Sequence, residues 1–350
     1  MRITTRRRLW VGAATATGVA MLVAGALLPV PFVELAPGPT FNTIGDVGGK
    51  PLIDISGTPT YPTAGNLDMT TVNERGGPGN GVYLGRVLVG WVDPHIRIVP
   101  REAIYPEGQT ADELQAENVR SFSDSESAST AAALSYLKRP YLTLVVVASV
   151  VDGTPADGKL EPGDQILSIN GAPVRSTGDV TTTMGKVTPG QTVVVQVRRE
   201  DKGVLEESIV TTTNPREPSR AFMGISVGED YKAPFHLEFT LGGVGGPSAG
   251  TMLSLGIIDK LTPGELNGGK FVAGTGSISP DGVVGPIGGI THKMATAADA
   301  GATVFLVPKE NCDLARTVAQ DTMTLIKAEN LTQTIEALKT LTAGGQPSTC

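Results

Sequence analysis

The sequence predicts a multidomain α+β protein that begins with a membrane-spanning helix. Three observations lead to this prediction. The 350 residues exceed one ordinary domain, so two or three domains are expected. A long uncharged stretch follows a cluster of arginines near the N-terminus. Beyond it, short β-rich runs alternate with longer helical patterns, and 44 glycines and 25 prolines supply many turns.

The predicted anchor is residues 9–30, from Leu9 to Val30, after a cytoplasmic tail of residues 1–8. As a helix this run would measure roughly 33 Å, enough for a hydrocarbon core of about 30 Å. Arginines precede the run, so the positive-inside rule predicts a single-pass membrane protein whose remaining residues are extracytoplasmic. A cleaved signal peptide and a twin-arginine export signal are the alternatives. All three interpretations take the bulk of the chain out of the cytoplasm.

The net charge and the number of cysteines and histidines limit which partners and metal ions the chain can be expected to bind. The net charge is −7, which argues against nucleic acid as the main partner. The three histidines are widely spread, and the two cysteines lack the spacing of a zinc site, so no metal or cofactor is expected. Cys312 and Cys350 would close a loop of about 38 residues as a disulfide, worth about 4 kcal/mol in the chain-entropy model. Two unpaired thiols are the alternative.

The region after the anchor, residues 31–130, contains short strand-like runs broken by turns. A helix is predicted over Thr110–Lys138, with serine and aspartate as caps. No residue here suggests a reaction. We interpret these residues as a membrane-proximal structural region.

Residues 131–212 carry a pattern that resembles the PDZ domain. The pattern is V-x-G-x-P-A-x-x-x-x-L-x-P-G-D-x-I-L-x-I-N-G, from Val151 to Gly171, and Pro189-Gly190 also fits. The resemblance implies a groove that holds an extended peptide by strand addition. The segment at the expected place of the carboxylate-binding loop, Pro140–Leu144, is not rich in glycine. A PDZ fold kept only as a spacer is the alternative.

A single serine stands at the entrance of a predicted helix. From Met252 the apolar residues recur with helical spacing, so Ser248, after Pro247, lies at the helix N-terminus. Backbone N–H groups gather there, and Gly245 and Gly246 allow another backbone to approach. This arrangement suits a nucleophile beside an oxyanion hole. It equally suits an ordinary serine N-cap, so the serine needs a partner.

Three partners are conceivable. A histidine would make residues 246–250 a G-x-S-x-G elbow, but Asp281 and His292 lie too close together for that fold. A metal would need ligands that the sequence does not group. The third is Lys293, in the first turn of a predicted helix that ends near Gly301. A helix N-terminus disfavours a cation, and burial would further lower the lysine pKa, which helps an amine that must be neutral.

The same segment resembles the proteolytic domain of Lon, peptidase family S16, over roughly residues 222–341. The matching motifs are Pro247-Ser248-Ala249-Gly250, the run Thr275-Gly276-x-Ile278-x-x-x-Gly282-x-Val284-x-Pro286-Ile287-Gly288-Gly289-Ile290-x-x-Lys293, and then Ala297, Gly301, Pro308 and Asn311. The resemblance implies a Lon-type α+β domain over residues 213–345, with Ser248 as nucleophile, Lys293 as general base and Thr275 as a supporting hydrogen-bonding residue. It differs from the usual Lon pattern in having Gly245 in place of an aspartate and Ser277 in place of a glutamate.

The chain lacks the G-x-x-x-x-G-K-[ST] loop of an ATPase module. Anchor, PDZ and Lon-type segments together resemble the membrane-anchored Lon-like PDZ proteases of Gram-positive bacteria. This resemblance implies an ATP-independent serine endopeptidase that acts on unfolded or exposed envelope polypeptides. Lon-type domains can form rings, which leaves a homo-oligomer open. The alternative function is a catalytically silent peptide-binding adaptor.

Overall fold

The computed structural model describes residues 5–77, 81–93, 95–105, 108, 110–320 and 322–350, with the side chains of residues 5–9 and 11 left out. The chain forms two compact units. The first combines the chain up to Tyr136 with Leu237–Cys350, and the second is Leu137–His236. The first unit is therefore discontinuous in sequence.

The chain contains thirteen strands of four or more residues and eight α-helices in the described residues. The strands are β1 (Phe32–Asn42), β2 (Ile53–Ser56), β3 (Asn66–Arg75), β4 (Arg97–Pro100), β5 (Leu142–Val150), β6 (Gln165–Ile169), β7 (Thr192–Arg199), β8 (Gly203–Val210), β9 (Ile225–Lys232), β10 (His236–Phe239), β11 (Phe271–Gly274), β12 (Val304–Pro308) and β13 (Thr324–Ala328). The helices are α1 (Thr5–Ala26), α2 (Leu84–Gly90), α3 (Ala111–Tyr136), α4 (Thr177–Met184), α5 (Gly250–Leu261), α6 (Ile290–Asp299), α7 (Cys312–Arg316) and α8 (Leu331–Thr342). Two-residue strands pair locally, as Thr212–Thr213 does with Ala221–Phe222.

The N-terminal helix does not fit the predicted membrane anchor. Helix α1 ends at Ala26, before the uncharged run does, and small residues (alanine, glycine and threonine) make up most of its uncharged part. In the described part of the chain, no helix combines the length and the apolar character that crossing a membrane requires. The prediction of a single-pass membrane protein anchored by residues 9–30 is therefore wrong. Residues 1–4 of the predicted cytoplasmic tail lie outside the described residues.

A mixed sheet organises the first unit, with the strand order β13-β12-β11-β3-β1-β4. Strands β13, β12, β11 and β3 run parallel to one another, whereas β1 is antiparallel to both β3 and β4. Every residue of β12 is buried, as expected for a parallel strand covered on both faces. Strand β11 ends at Gly274, opposite Met69 of β3. Strand β11 pairs with β3 only up to Met69. Beyond Met69, the same edge of β3 has no strand neighbour in the described residues.

Helices cover this sheet and bury the apolar positions. Helix α5 is buried around nearly its whole circumference and packs against α3. Its Met252, Leu253 and Leu255 are fully buried, and each such side chain contributes about 1.5–3 kcal/mol to folding. Helix α6 packs on β1 and β3, with Ile290, Met294 and Ala297 in the core.

The second unit is an antiparallel sheet with the strand order β8-β7-β6-β5-β9. Valines and isoleucines of these strands form its core together with Val180 of α4. Strand β9 pairs with β5 along its whole length and ends the sheet, so its second edge has no strand neighbour in the described part. Ser176 caps α4 in a capping box with Asp179.

Cys312 and Cys350 form a disulfide with an S–S distance of 2.06 Å, which resolves the alternative that the sequence leaves open. The bridge ties the C-terminal residue to the start of α7. The predicted domain ranges, 31–130, 131–212 and 213–345, stay predictions. The compact units divide instead after Tyr136 and after His236.

Candidate active site

Ser248 lies two residues before the first residue of α5 and does not cap the helix. The N-cap position is Ala249, which makes no side-chain cap hydrogen bond. The interpretation of Ser248 as an ordinary N-cap serine therefore does not hold. Its hydroxyl oxygen lies 2.6 Å from the amine nitrogen of Lys293 instead.

Helix α3 holds the loop before the serine. The Gly246 N–H donates to the Asn118 carbonyl at 3.0 Å, and the Ser125 hydroxyl donates to the Pro247 carbonyl at 3.1 Å. Gly246 has φ of +82°, a left-handed conformation that glycine adopts readily. A Cβ at Gly245 would lie 2.8 Å from the Asn118 Cβ, so the close approach of α3 requires glycine there. The glycines of this loop thus have a steric role.

Lys293 lies in the first turn of α6, as the sequence predicts, and is only 3% exposed. The helix begins after Gly289, whose φ of +70° turns the chain sharply at this point. The Lys293 amine lies 2.6 Å from Ser248 Oγ, 3.0 Å from Thr275 Oγ1 and 3.0 Å from the Thr70 carbonyl oxygen. Four segments that are distant in sequence therefore meet at one amine.

The hydrogen bonds around the amine match its neutral form. A neutral lysine has two N–H donors and one lone pair. The Thr70 carbonyl accepts the first N–H. Thr275 donates its own hydroxyl hydrogen to the Ser248 carbonyl at 3.0 Å, so its oxygen accepts the second N–H. In the neutral form the remaining lone pair can accept the O–H of Ser248, and in the ammonium form the third N–H donates to Ser248 Oγ over the same 2.6 Å.

Burial lowers the pKa of Lys293 from 10.5 to about 8, because desolvation disfavours the charged ammonium. Desolvation is the cause of this shift, with no carboxylate to oppose it. A lysine of this kind holds an appreciable neutral fraction near neutral pH, which a general base requires.

Hydrogen bonds to its carbonyl hold the backbone of Ser248 in place. Its carbonyl accepts hydrogen bonds from the Gly276 N–H at 2.9 Å and from Thr275. The Gly246 N–H is already engaged by Asn118, so it is not available to an oxyanion in this arrangement. Among the described hydrogen bonds, none uses the N–H of Ser248, which lies where the dipole of α5 favours negative charge.

The structure does not bring His292 to the serine. Its ring bonds the backbone of His95, its Nε2 is buried without a partner among the described groups, and it lines a separate cavity with His95 and Met294. Burial also lowers the pKa of His292. A histidine-based triad is therefore not supported.

Three contributors to the site were not predicted from the sequence: Thr70, Asn118 and Ser125. Thr70 is 223 residues from Lys293, and its carbonyl is a backbone group that any residue would supply. Asn118 likewise acts through its carbonyl. No local pattern marks such residues, because only the tertiary fold places them.

A cleft of about 400 Å³ opens beside Ser248 and Lys293, which are called the dyad below. One wall is residues 69–74 of β3, and the other is the glycine-rich loop at residues 242–247. Ser248 and Lys293 lie at its base. The cleft therefore runs along the open edge of β3.

The second unit has an unpaired strand edge of its own. The unpaired edge of β9 lies beside α4. The loop before β9 contains Gly224, with φ of +91°, where a Cβ would lie 1.9 Å from Thr154 Oγ1. Pro140–Leu144, in contrast, leads into β5, which is paired on both sides. The segment preceding β9 is thus Ala221–Gly224, which lies outside the range 131–212 predicted for the PDZ domain.

A known protein family matches a range of residues that overlaps the second unit. A family model for the PDZ domain matches residues 119–207. Solved PDZ domains of SdrC-like proteins are similar to part of the chain. The domain from Listeria monocytogenes is 27% identical, and the match covers 24% of this chain and 85% of that domain, with a TM-score of 0.22. The domain from Listeria innocua is 26% identical, and the match covers 27% of this chain and 99% of that domain, also with a TM-score of 0.22. The chain contains a PDZ domain.

Curated Lon proteases are similar to part of this chain. Lon protease 2 of Herpetosiphon aurantiacus is 37% identical over 110 residues, 31% of this chain and 13% of the relative. The archaeal Lon protease of Halobacterium salinarum is 38% identical over 81 residues, 22% of this chain and 11% of the relative. Lon protease of Roseiflexus castenholzii is 30% identical over 149 residues, which are 41% of this chain and 18% of the relative. The protein is thus a PDZ-containing relative of Lon proteases that spans less than a fifth of their length.

Proposed function

We propose that the protein is a serine endopeptidase in which Lys293 activates Ser248. The observation that carries the proposal is the buried Lys293 amine at 2.6 Å from Ser248 Oγ. A buried lysine without a carboxylate partner is costly to a fold, so its position beside a serine at a helix N-terminus calls for a chemical reason. General-base catalysis supplies that reason.

The first half of the reaction forms an acyl-enzyme. The Lys293 amine takes the proton of the Ser248 hydroxyl, and Ser248 Oγ attacks the carbonyl carbon of the scissile peptide bond. The N–H of Ser248, at the N-terminus of α5, stabilises the negative charge on the carbonyl oxygen. The C–N bond then breaks, and the Lys293 ammonium returns its proton to the leaving amine.

The second half releases the product. Lys293, neutral again, takes a proton from water, and the resulting hydroxide attacks the ester carbon. When the bond to Ser248 Oγ breaks, the ammonium restores the hydroxyl hydrogen. In each protonated stage the ammonium has three N–H donors for the Thr70 carbonyl, Thr275 and Ser248, so the network that holds the neutral amine also holds the charged one.

The cleft suits an extended peptide. The Thr70 carbonyl points to the open edge of β3, where it meets Lys293. Backbone groups alternate along a strand, so those of Val72 and Glu74 face the same edge. A substrate strand can pair with them by strand addition while its scissile carbonyl lies at Ser248. Strand addition recognises the main chain, and therefore unfolded or loosely folded polypeptides of many sequences.

The PDZ domain would bind a second extended segment at the free edge of β9. Because the chain carries no P-loop pattern, we propose that cleavage needs no ATP and that tightly folded proteins are cut slowly. The function of the dyad does not depend on this binding, so the two can be tested separately.

Digestion of casein by the purified chain without ATP tests the proposal. We expect digestion by the parent chain and its loss in Ser248→Ala and in Lys293→Ala. Exposed Ser219 and Lys270 supply matched controls, and Ser219→Ala and Lys270→Ala should digest casein as the parent does. Digestion that survives in both dyad variants would rule out this site. A parent chain that binds casein without cutting it would make the protein a peptide-binding adaptor.

A further inference from the structure

Glu74 lies where the catalytic cleft meets a second cavity. It lines the cleft that contains Ser248 and also a neighbouring cavity of about 600 Å³. Tyr83 and Tyr105 line the second cavity as well. A peptide that follows the open edge of β3 away from Ser248 would therefore pass Glu74 and enter this cavity.

The charges of the second cavity leave Glu74 without a partner. The Glu34 carboxylate accepts two hydrogen bonds from Arg86, at 2.6 and 2.7 Å. Arg75 also lies toward Glu34, at 4.0 Å. Within the described part of the chain, no hydrogen bond or ion pair engages the Glu74 carboxylate. Glu74 is an exposed residue whose carboxylate is partly desolvated by its surroundings, which raises its pKa, and no cation opposes that shift.

We propose that Glu74 makes the endopeptidase prefer a lysine or arginine in its substrate, at a position about four residues from the bond that is cut. The inference rests on the proposed function of Ser248 and Lys293. A cationic side chain would give the Glu74 carboxylate the partner that it lacks. Tyr83 and Tyr105 line the same cavity, and aromatic rings attract cations.

The position follows from the register of β3. Thr70 lies at the dyad, and Glu74 is four residues further along the strand. At about 3.3 Å per residue the two are roughly 13 Å apart, so a paired substrate strand places its fourth residue from the scissile bond opposite Glu74. Side chains directly opposite in a sheet approach to about 5 Å.

Cleavage of a proteome-derived peptide library by the purified chain tests the inference. The cut sites, identified by mass spectrometry, should show enrichment of lysine and arginine three to five residues from the cut on one side. With peptides that differ only in lysine or glutamine at that position, we expect about a tenfold difference in kcat/KM, equivalent to about 1.4 kcal/mol. Glu74→Gln should reduce the ratio to near one, and Glu74→Lys should favour a substrate glutamate.

The controls separate this inference from the proposed function. Glu310→Gln changes an exposed glutamate away from the cleft and should keep the parent ratio. Thermal melting shows whether each Glu74 variant is folded, and Glu74→Asp serves as a milder variant should Glu74→Lys unfold. Cleavage by the parent without preference for a basic residue, or a preference that persists in Glu74→Gln, overturns the inference alone. No cleavage of any peptide by the parent overturns both.

Discussion

The rate of acylation should rise with pH and reach a plateau above about pH 8, because only the neutral Lys293 amine can take the proton of Ser248. Burial brings the pKa of Lys293 to about 8. At pH 7 about a tenth of such a lysine is neutral, and at pH 6 about a hundredth, so the rate should fall roughly tenfold per pH unit on the acid side. A solvated lysine with a pKa of ~10.4 would be less than about 0.1% neutral at pH 7.

The assay is the rate at which a serine-directed fluorophosphonate modifies the parent chain between pH 6 and 10, measured by intact mass. The same measurement on Lys293→Ala gives the contribution of hydroxide alone. Far-ultraviolet circular dichroism at each pH confirms that the chain stays folded. A rate that is independent of pH over this range, or one that still increases steeply at pH 10, would refute the assignment of Lys293 as a desolvated base.

Other consequences follow from the same contacts. Thr275→Val removes hydrogen bonds to Lys293 and to the Ser248 carbonyl, so kcat should fall by about tenfold or more, a barrier increase of about 1.4 kcal/mol; an unchanged kcat would remove Thr275 from the mechanism. The cost in stability of burying the charged Lys293 amine is fully present below pH 8 and disappears as the pH rises towards 10.5. Between pH 8 and 10, the free energy of unfolding of the parent, measured by urea denaturation, should therefore rise by about 2 kcal/mol relative to that of Lys293→Met. An equal pH dependence in both proteins would contradict the lowered pKa. Cys350→Ser opens a 38-residue loop, and urea denaturation should show a loss of up to about 4 kcal/mol; no loss would mean that the bridge to Cys312 does not constrain the unfolded chain.

These variants have controls in the chain itself. Thr303→Val alters an exposed threonine and should leave kcat unchanged, which separates the position of Thr275 from the loss of a hydroxyl. For Cys350→Ser, the parent in the presence of a reductant should show the same loss of stability.

Local patterns sufficed for the segments that carry the dyad. Helical spacing after Ser248 predicts α5, and the apolar face from Ile290 predicts α6 with Lys293 in its first turn; both are confirmed. The helix predicted over Thr110–Lys138 is confirmed as α3. In each case the amphipathic period and the flanking glycines, prolines or caps are contained within a single segment.

Non-local features could not be predicted in this way. Composition and turn patterns suggest a separate region at residues 31–130, whereas β1 and β3 from that region pair within the same sheet as β11. Parallel pairing between β3 and β11 joins residues about 200 apart, and no local signal specifies such a partner. The Thr70 carbonyl reaches Lys293 only through this pairing.

The place of β9 in the sheet of the second unit could not be predicted for a related reason. Strand β9 follows the polar linker at residues 211–220, which indicates a domain boundary by composition. Its pairing with β5 nevertheless places it in the second unit. The membrane anchor failed differently: the absence of charge suggested a span, but a helix rich in alanine, glycine and threonine is not apolar enough.

The most direct test of the central claim is peptide mapping of the parent chain after reaction with the fluorophosphonate at pH 8. We predict a single modified residue, Ser248, with modification slowed at least a hundredfold in Lys293→Ala and unchanged in Lys270→Ala. A parent chain that is not labelled at Ser248, or labelling of Ser248 at the same rate without the Lys293 amine, would contradict the account.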